Sequence, residues 1–408
     1  MLDLTGDWTL SEEGGGITAP MRVPGDVHSA LLAAGIIPDP YVGRNEYDVR
    51  WVADRDWTLT RSFTLPPGDG PWTLVADTLD TVAEIRINGH FVIAHATAFR
   101  DLVVPIADAV VPGENRIEIL LRSATREANA LQAAQPFPVP YHAGNCPIPN
   151  GNMLRKPQCD FGWDWNLALA PAGVFGRIGI VGPEGCIAGV TVAQRHRADR
   201  VVLTIEVDLV GYAEGEIPWR ITVCGETVRG EVGAGSDAYF RAEVEILAPE
   251  LWWPAGAGPQ AVHTLEIHAG GDVRVMPVAL RDIRLVSEPD AAGRSFALEV
   301  NGRPIFCRGA NWIPADALPG RITEEKTRAL LQSAADANMN MIRVWGGGRY
   351  EPASFYEACD ALGLLVWQDL MYACHLYPAT EAFLLEAEQE ARFQKRRAMW
   401  CRSFQPPP

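Results

Sequence analysis

Two tryptophans flank a single aspartate in Phe161-Gly162-Trp163-Asp164-Trp165, and a loop of that make-up asks for a packing or a binding explanation. Indole faces stack on the C–H side of a sugar ring, and a carboxylate between them accepts hydrogen bonds from hydroxyls. Core packing alone accounts for the tryptophans. It accounts less well for Asp164, because a buried carboxylate needs partners. A second group stands at the ends of three apolar runs: Asn311-Trp312, Arg343-Val344-Trp345 and Trp367-Gln368-Asp369. Trp, Arg, Asn and Asp at successive strand ends suit a polyhydroxylated ligand. Arg343 would also hold down the pKa of a neighbouring catalytic carboxyl. Packing beneath loops is the plainer account of any one of these rings, but three at one rim argue for a site.

Nothing in this set asks for a metal or a cofactor. No His/carboxylate cluster has ligand spacing, and the 8 cysteines are scattered without a C-x-x-C pair. Such cysteine usage suits reduced thiols in a cytoplasmic protein. A net charge of −16 with no Lys/Arg run argues against nucleic acid as partner. The start, Met1 to Trp8, lacks the basic-then-apolar pattern of a secretory signal, and no run approaches the ~20 apolar residues of a membrane helix. Hydrophobic content of 48% is that of a folded chain, which at 408 residues is long enough for several domains.

The elements that must position these residues change character along the chain. Trp57 to Leu65 alternates apolar and polar residues, Trp72 to Asp77 is a short strand, and Val82 to Ile87 runs into Asn88-Gly89, a strong hairpin signal, with Phe91 to Ile93 as partner. Arg116 to Leu121 closes this series, and an apolar helical insertion is expected at Ser29–Ile37. Several short strands at this spacing predict a two-sheet sandwich. From Gly185 the rhythm restarts with strands at 189–193, 200–210, 219–223, 238–246 and 262–268, the length of an immunoglobulin-like domain and a structural spacer. After Asp290 strands and helices alternate. Buried-type strands are expected at 304–310, 341–345 and 364–368. Helices are expected at 323–338 with Leu330, Leu331, Ala334 and Ala337 on one face, at 352–362 with Pro352 first, and at 381–397. Apolar strands alternating with helices mean parallel βαβ units, as in a TIM barrel, whose functional side chains gather at the strand C-termini.

The segments Pro24-Gly25-Asp26-Val27-His28, Phe161-Gly162-Trp163-Asp164-Trp165, Arg308-Gly309-Ala310-Asn311-Trp312-Ile313-Pro314, Arg343-Val344-Trp345-Gly346-Gly347-Gly348 and Trp367-Gln368-Asp369 resemble, in order, β-mannosidases of glycoside hydrolase family 2. The resemblance implies a multidomain chain: an all-β jelly-roll sandwich over residues 1–185, an immunoglobulin-like β-sandwich over 186–289, and over 290–408 the first three βα units of a (β/α)8 barrel. It implies that the Trp163–Asp164 loop reaches the barrel mouth, where Asp164 bonds hydroxyls near C2 and C3 of a terminal mannose. Trp345 would border that subsite with Asn311 and Trp312, above a floor organised by Arg343 and Asp369. The chemistry implied is retaining hydrolysis of terminal β-mannosides by two Glu about 5–5.5 Å apart.

This sequence departs from that pattern at its end. The family's acid/base Glu sits in an Asn-Glu motif at barrel strand 4, and no Asn-Glu occurs after residue 300. After Gln394 the chain runs to Pro406-Pro407-Pro408, which neither helix nor strand tolerates. The departure reads as a frameshift or premature stop in a longer gene, with a deliberately shortened binding protein as the alternative. Three βα units cannot close a barrel, so exposed edges and a poorly stable last third are expected, together with no hydrolysis by this chain alone. A non-catalytic carbohydrate-binding protein and a related β-galactosidase or β-glucuronidase stay open beside the β-mannosidase reading.

Overall fold

A computed structural model of the chain describes residues 1–400 apart from 69, 214, 236 and 237, with side chains as far as 397. The Pro406–Pro408 end therefore lies outside the described residues. The front of the chain forms a six-stranded antiparallel sheet in the order Thr18–Val23, Gly6–Glu12, Trp57–Leu65, Gly113–Leu121, Val82–Ile87, His90–Ala96. Period-two patterning drives it: along Gly113–Leu121 the residues Asn115, Ile117, Ile119 and Leu121 turn inward and Arg116 outward. A four-stranded sheet of Leu2–Asp3, Ile178–Val181, Thr73–Ala76 and Leu102–Pro105 packs opposite, sharing a core of Trp8, Trp57, Leu59, Ile85, Leu74 and Ile180. The hairpin at Asn88-Gly89 forms as the sequence predicts, with φ of 53° and 80° at the two turn residues.

The helical insertion starts earlier than expected, at Val27–Ala33 instead of Ser29–Ile37. Asp26 decides its start, accepting from the Ser29 N–H at 2.7 Å as an N-cap. The same carboxylate accepts from Gly320 N–H at 2.8 Å, fastening the front sandwich to the last third of the chain.

The second region packs a three-stranded sheet (Glu184–His196, Arg200–Tyr212, Tyr239–Leu247) on a four-stranded one (Glu226–Gly233, Glu216–Val223, Val262–Ala269, Asp272–Ala279). The strands at Glu226–Gly233 and Asp272–Ala279 escape sequence detection. Both are edge strands, and the first buries no side chain fully, so no apolar period marks it.

In the last third, three parallel strands, Gly309–Trp312, Met341–Val344 and Leu365–Gln368, are joined through helices Glu324–Asp336 and Ala353–Leu362. Three expectations need correction here. Residues 304–310 do not make one buried strand: Arg303–Ile305 pairs antiparallel with Ala297–Val300, the chain turns at Phe306, which is 81% exposed, and the parallel strand begins at Gly309. On the first helix Leu331 and Thr327 are buried while Leu330 and Ala337 are exposed, because the packed stripe follows i, i+4 and leaves Leu330 one step around the cylinder. Pro352 is the N-cap of its helix and not its first residue.

The first parallel strand has no neighbour on its outer edge among the described residues, and Leu370, Leu376, Leu384 and Leu385 are exposed. Against that exposure, helix Glu381–Trp400 is anchored by a fully buried pair, Arg155 Nε to Glu390 Oε2 at 2.7 Å and Nη2 to Oε1 at 2.8 Å. The guanidinium lies 4.0 Å from the Tyr372 ring and 4.9 Å from that of Phe99. No helix among the described residues is long and apolar enough to cross a membrane. Because removing one partner strands a buried charge, Glu390→Ala should lower stability by about 3–5 kcal/mol in urea denaturation. Glu388→Ala, which breaks the exposed Arg392–Glu388 pair on the same helix, should leave the midpoint unchanged.

Candidate functional site

In the parallel sheet Asn311, Arg343 and Trp367 are register partners, as are Trp312, Val344 and Gln368. Side chains alternate across a strand, so the two sets face opposite ways. Ile342, Val344 and Val366 pack with Leu331 and Phe355 of the helices and make the core face. Asn311, Arg343 and Trp367 lie on the other face, and the strands' next residues, Trp345 and Asp369, continue it. The lower end of this face is closed by Met341 and Leu365 against Val300, Ile305 and Trp252. Its upper end, at the strand C-termini, is where the polar groups stand.

There Arg343 grips Asp369 in a fork, Nη2 to Oδ2 at 2.7 Å and Nε to Oδ1 at 3.2 Å, and reaches Asn311 Oδ1 with Nη1 at 3.3 Å. Such a bidentate pair fixes orientation as well as charge. Asp369 Oδ2 also accepts from Gly346 N–H at 3.1 Å, tying the pair to the glycine turn after the second strand. A Cβ on Gly347 would lie 2.1 Å from the Trp345 ring, so the missing side chain is what lets Trp345 fold back over the turn.

The loop from the front sandwich meets this rim. Trp163 and Asn166 exchange two backbone hydrogen bonds of 3.3 Å, putting Asp164 and Trp165 at the tip of a two-residue turn. Gly162, at φ 110°, turns the chain where a Cβ would strike Pro147 at 2.4 Å. The Trp163 ring packs 4.9 Å from Trp345 at 63°, and Trp165 sits 5.7 Å from Trp345 at 79°. Asp164 is exposed, and no hydrogen bond to it occurs among the described residues. The core-packing account therefore does not apply to Asp164: the turn carries it outward.

Of the seven candidates, Trp163, Asp164, Asn311, Arg343, Trp345 and Asp369 come together, and Trp312 does not. Trp312 lies on the core face, 5.0 Å from Phe355, with Nε1–H donating to Glu351 Oε1 at 2.9 Å. The reason is parity along the strand, which places Asn311 and Trp312 on opposite sides of the sheet.

Residues that sequence reasoning passed over complete the surroundings. Trp163 is flanked by His142 at 5.7 Å and by the edge of His375 at 6.1 Å. His142 N–H donates to His375 Nδ1 at 2.9 Å, which leaves the neutral ring's proton on Nε2. Beneath the turn lies a buried ion cluster. Lys156 bonds Asp80 at 2.7 Å and Asp160 at 3.0 Å, and Arg349 holds both oxygens of Asp160 at 2.9 and 2.7 Å. Burial pushes the Asp80 carboxyl up, opposed by Lys156 and Arg349. Among the described residues no group of three or more His, Cys, Asp or Glu is placed to hold a metal ion.

Burial and then Lys156 push His28 down to about 3, and burial with the nearby His142 pushes His375 down to about 4, from an ordinary 6.5. Both rings are neutral when folded and bind protons near pH 6.5 when unfolded. Their linkage contribution is complete above pH 6.5 and is lost as pH falls towards those depressed values. Wild-type stability should therefore decline from pH 6.5 to 4 more steeply than that of His375→Phe, measured by urea midpoints at each pH.

Residues 8–176 match the family described as glycosyl hydrolase 2 galactose-binding domain-like. A β-mannosidase of Capra hircus is 35% identical over 97% of this chain and 48% of its own length. β-Mannosidase B of Emericella nidulans is 32% identical over 92% of this chain and 46% of its own. The crystal structure of a β-D-mannosidase from Dictyoglomus thermophilum superposes with a TM-score of 0.92 at 31% identity, covering 99% of this chain and 51% of that one. The chain thus spans about half the length of the relatives it matches. The N-terminal portion thus matches a glycosyl hydrolase 2 domain family, and nearly all of the chain aligns with about half the length of β-mannosidases.

Proposed function

We propose that this chain carries the sugar-binding part of a retaining β-mannosidase and holds the terminal, non-reducing β-mannose of a glycan. The observation that carries the reading is the Trp163–Asp164 turn packed against Trp345, above the Arg343–Asp369–Asn311 group at the open ends of three parallel strands. An exposed carboxylate with free acceptors between two indoles suits vicinal hydroxyls, and Arg343 and Asn311 add donors on the opposite wall. In this reading residues 1–185 are a jelly roll, 186–289 an immunoglobulin-like spacer, and 290–408 the first βα units of a (β/α)8 barrel. A reducing, cytoplasmic setting belongs to the same proposal; its support is that all seven described cysteines are free.

Retaining hydrolysis needs an acid/base and a nucleophilic carboxyl facing one anomeric carbon. At the described strand ends the carboxylate is Asp369, and it is engaged by Arg343. Glu351 is buried against Trp312 on the core side. By itself this polypeptide is therefore expected to bind a mannoside without cleaving it. The non-catalytic carbohydrate-binding alternative, placed in residues 1–185 alone, is weakened because Trp345, Arg343 and Asp369 come from outside that span.

Titration calorimetry with methyl β-D-mannoside tests the reading. Asp164→Ala should weaken binding by about 1.5–3 kcal/mol, tenfold or more, as expected for lost hydrogen bonds to a charged acceptor. Equal affinity of wild type and variant would remove Asp164 from the site. Tighter binding of a β-galactoside or β-glucuronide would move the chain to another sugar. For catalysis, release of nitrophenol from an aryl β-mannoside by this chain alone should be absent, and measurable turnover would overturn that part.

A further inference from the structure

We propose that Arg349 and Asp160 are positioning residues whose buried ion pair sets the spacing between the Trp163–Asp164 turn and Trp345, and through it sugar affinity, without either touching sugar. The affinity part rests on the mannoside reading above; the spacing part does not. Asp160 lies three residues before Trp163, and Arg349 four after Trp345, so the pair joins the two segments just behind the two rings. Little slack separates pair from rings. Asp160 C=O accepts from Leu169 N–H at 3.2 Å and Ala170 N–H at 2.7 Å, closing the loop that carries the turn. Asn166 Nδ2 donates to Cys159 C=O at 2.8 Å, and Cys159 N–H donates to Gly347 C=O at 2.9 Å, directly beneath the Trp345 ring.

Geometry makes the pair a gauge as well as a tether. Arg349 Nη2 donates to both oxygens of Asp160 while Nη1 of the same plane faces Asp80, so one rigid guanidinium spans two carboxylates at a fixed separation, which a lysine ammonium, as a point charge, does not. Lys156 and Asp80 hold the cluster from the other side: Lys156 donates to Pro171 C=O at 2.6 Å, and Arg349 Nη1 lies 3.5 Å from Asp80. Phe175 covers the guanidinium at 5.0 Å. A packed ionic cluster of this kind moves as a unit, so loss of the guanidinium bridge passes to the rings and is not absorbed locally.

The test uses Arg349→Lys and Asp160→Asn in the full chain, with far-ultraviolet circular dichroism to confirm folding. The circular-dichroism exciton couplet of the Trp163–Trp345 pair, assigned by its loss in Trp163→Phe and in Trp345→Phe and its retention in Trp165→Phe, reads the spacing, and calorimetry with methyl β-D-mannoside reads affinity. Both variants should lose at least about half of the couplet and bind about tenfold more weakly, the order of effect of a sub-ångström misplacement. Arg281→Lys, in the buried Arg281–Asp360 pair elsewhere in the chain, should leave both readings unchanged. An intact couplet in Arg349→Lys and Asp160→Asn, or an equal loss in Arg281→Lys, overturns the proposal. If wild type binds no mannoside while the couplet behaves as expected, the sugar reading and the affinity part fail and the spacing claim stands. If the variants do not fold, hydrogen exchange of the wild type decides: protection of the Cys159, Leu169, Ala170 and Gly348 amides should agree within about threefold, and a spread beyond about tenfold refutes a common unit.

Discussion

A charged group sealed from water has to find its counter-charge inside the protein, and that constraint organises this chain. Lys156 has no exposed side-chain surface, nor has Asp80, and Asp160 and Arg349 are nearly as deep. Solvation lost on burial is recovered only if each ion meets several partners in good geometry, so the segments bearing them have few ways to come together. The front sandwich supplies Asp80, the long loop after it supplies Lys156 and Asp160, and the glycine turn of the parallel sheet supplies Arg349. Once these are joined, the loop is committed to crossing the strand ends. Arg155 with Glu390 repeats the device at a further point of the same contact, and Asp26 adds a hydrogen bond from the Gly320 N–H.

The features at the strand-end rim depend on this arrangement more than on their own contacts. Trp163 and Trp345 belong to segments nearly two hundred residues apart, and their edge contact adds only ~1 kcal/mol beyond area burial. Such a contact does not assemble two halves of a protein, but it lines a site well once they are assembled. Arg343, Asp369 and Asn311 form by contrast within one sheet, where the register of three neighbouring strands is enough.

What could be read in the sequence follows the same division. Strands with a clean apolar period, such as Trp57–Leu65 and the Arg116–Leu121 part of Gly113–Leu121, and the Asn88-Gly89 hairpin were legible because burial on one face writes itself as alternation. Polar edge strands such as Glu226–Gly233 carry no such mark. The rim residues were legible because their types are unusual together. Trp312 was misassigned although strand parity, already in the sequence, separates it from Asn311. The ion cluster was illegible for a different reason. A lone Lys or Arg reads as surface, and the partners that bury Lys156 and Arg349 lie up to 269 positions away. His142 and His375 escaped likewise, since their pairing joins positions 233 apart.

Parity in the parallel sheet has one more consequence. The strand pairings offset positions by even numbers, so the outward face is odd-numbered throughout: 311, 343, 345, 367 and 369. The neighbouring even positions 342, 344 and 366 belong to the packed core. A mutational library confined to the odd rim positions would vary the strand-end groups while leaving the helix-facing core intact, and one confined to the even positions would do the reverse. Lower down the same strands the odd face is itself packed, at Met341 and Leu365, so parity divides rim from core only at the upper ends.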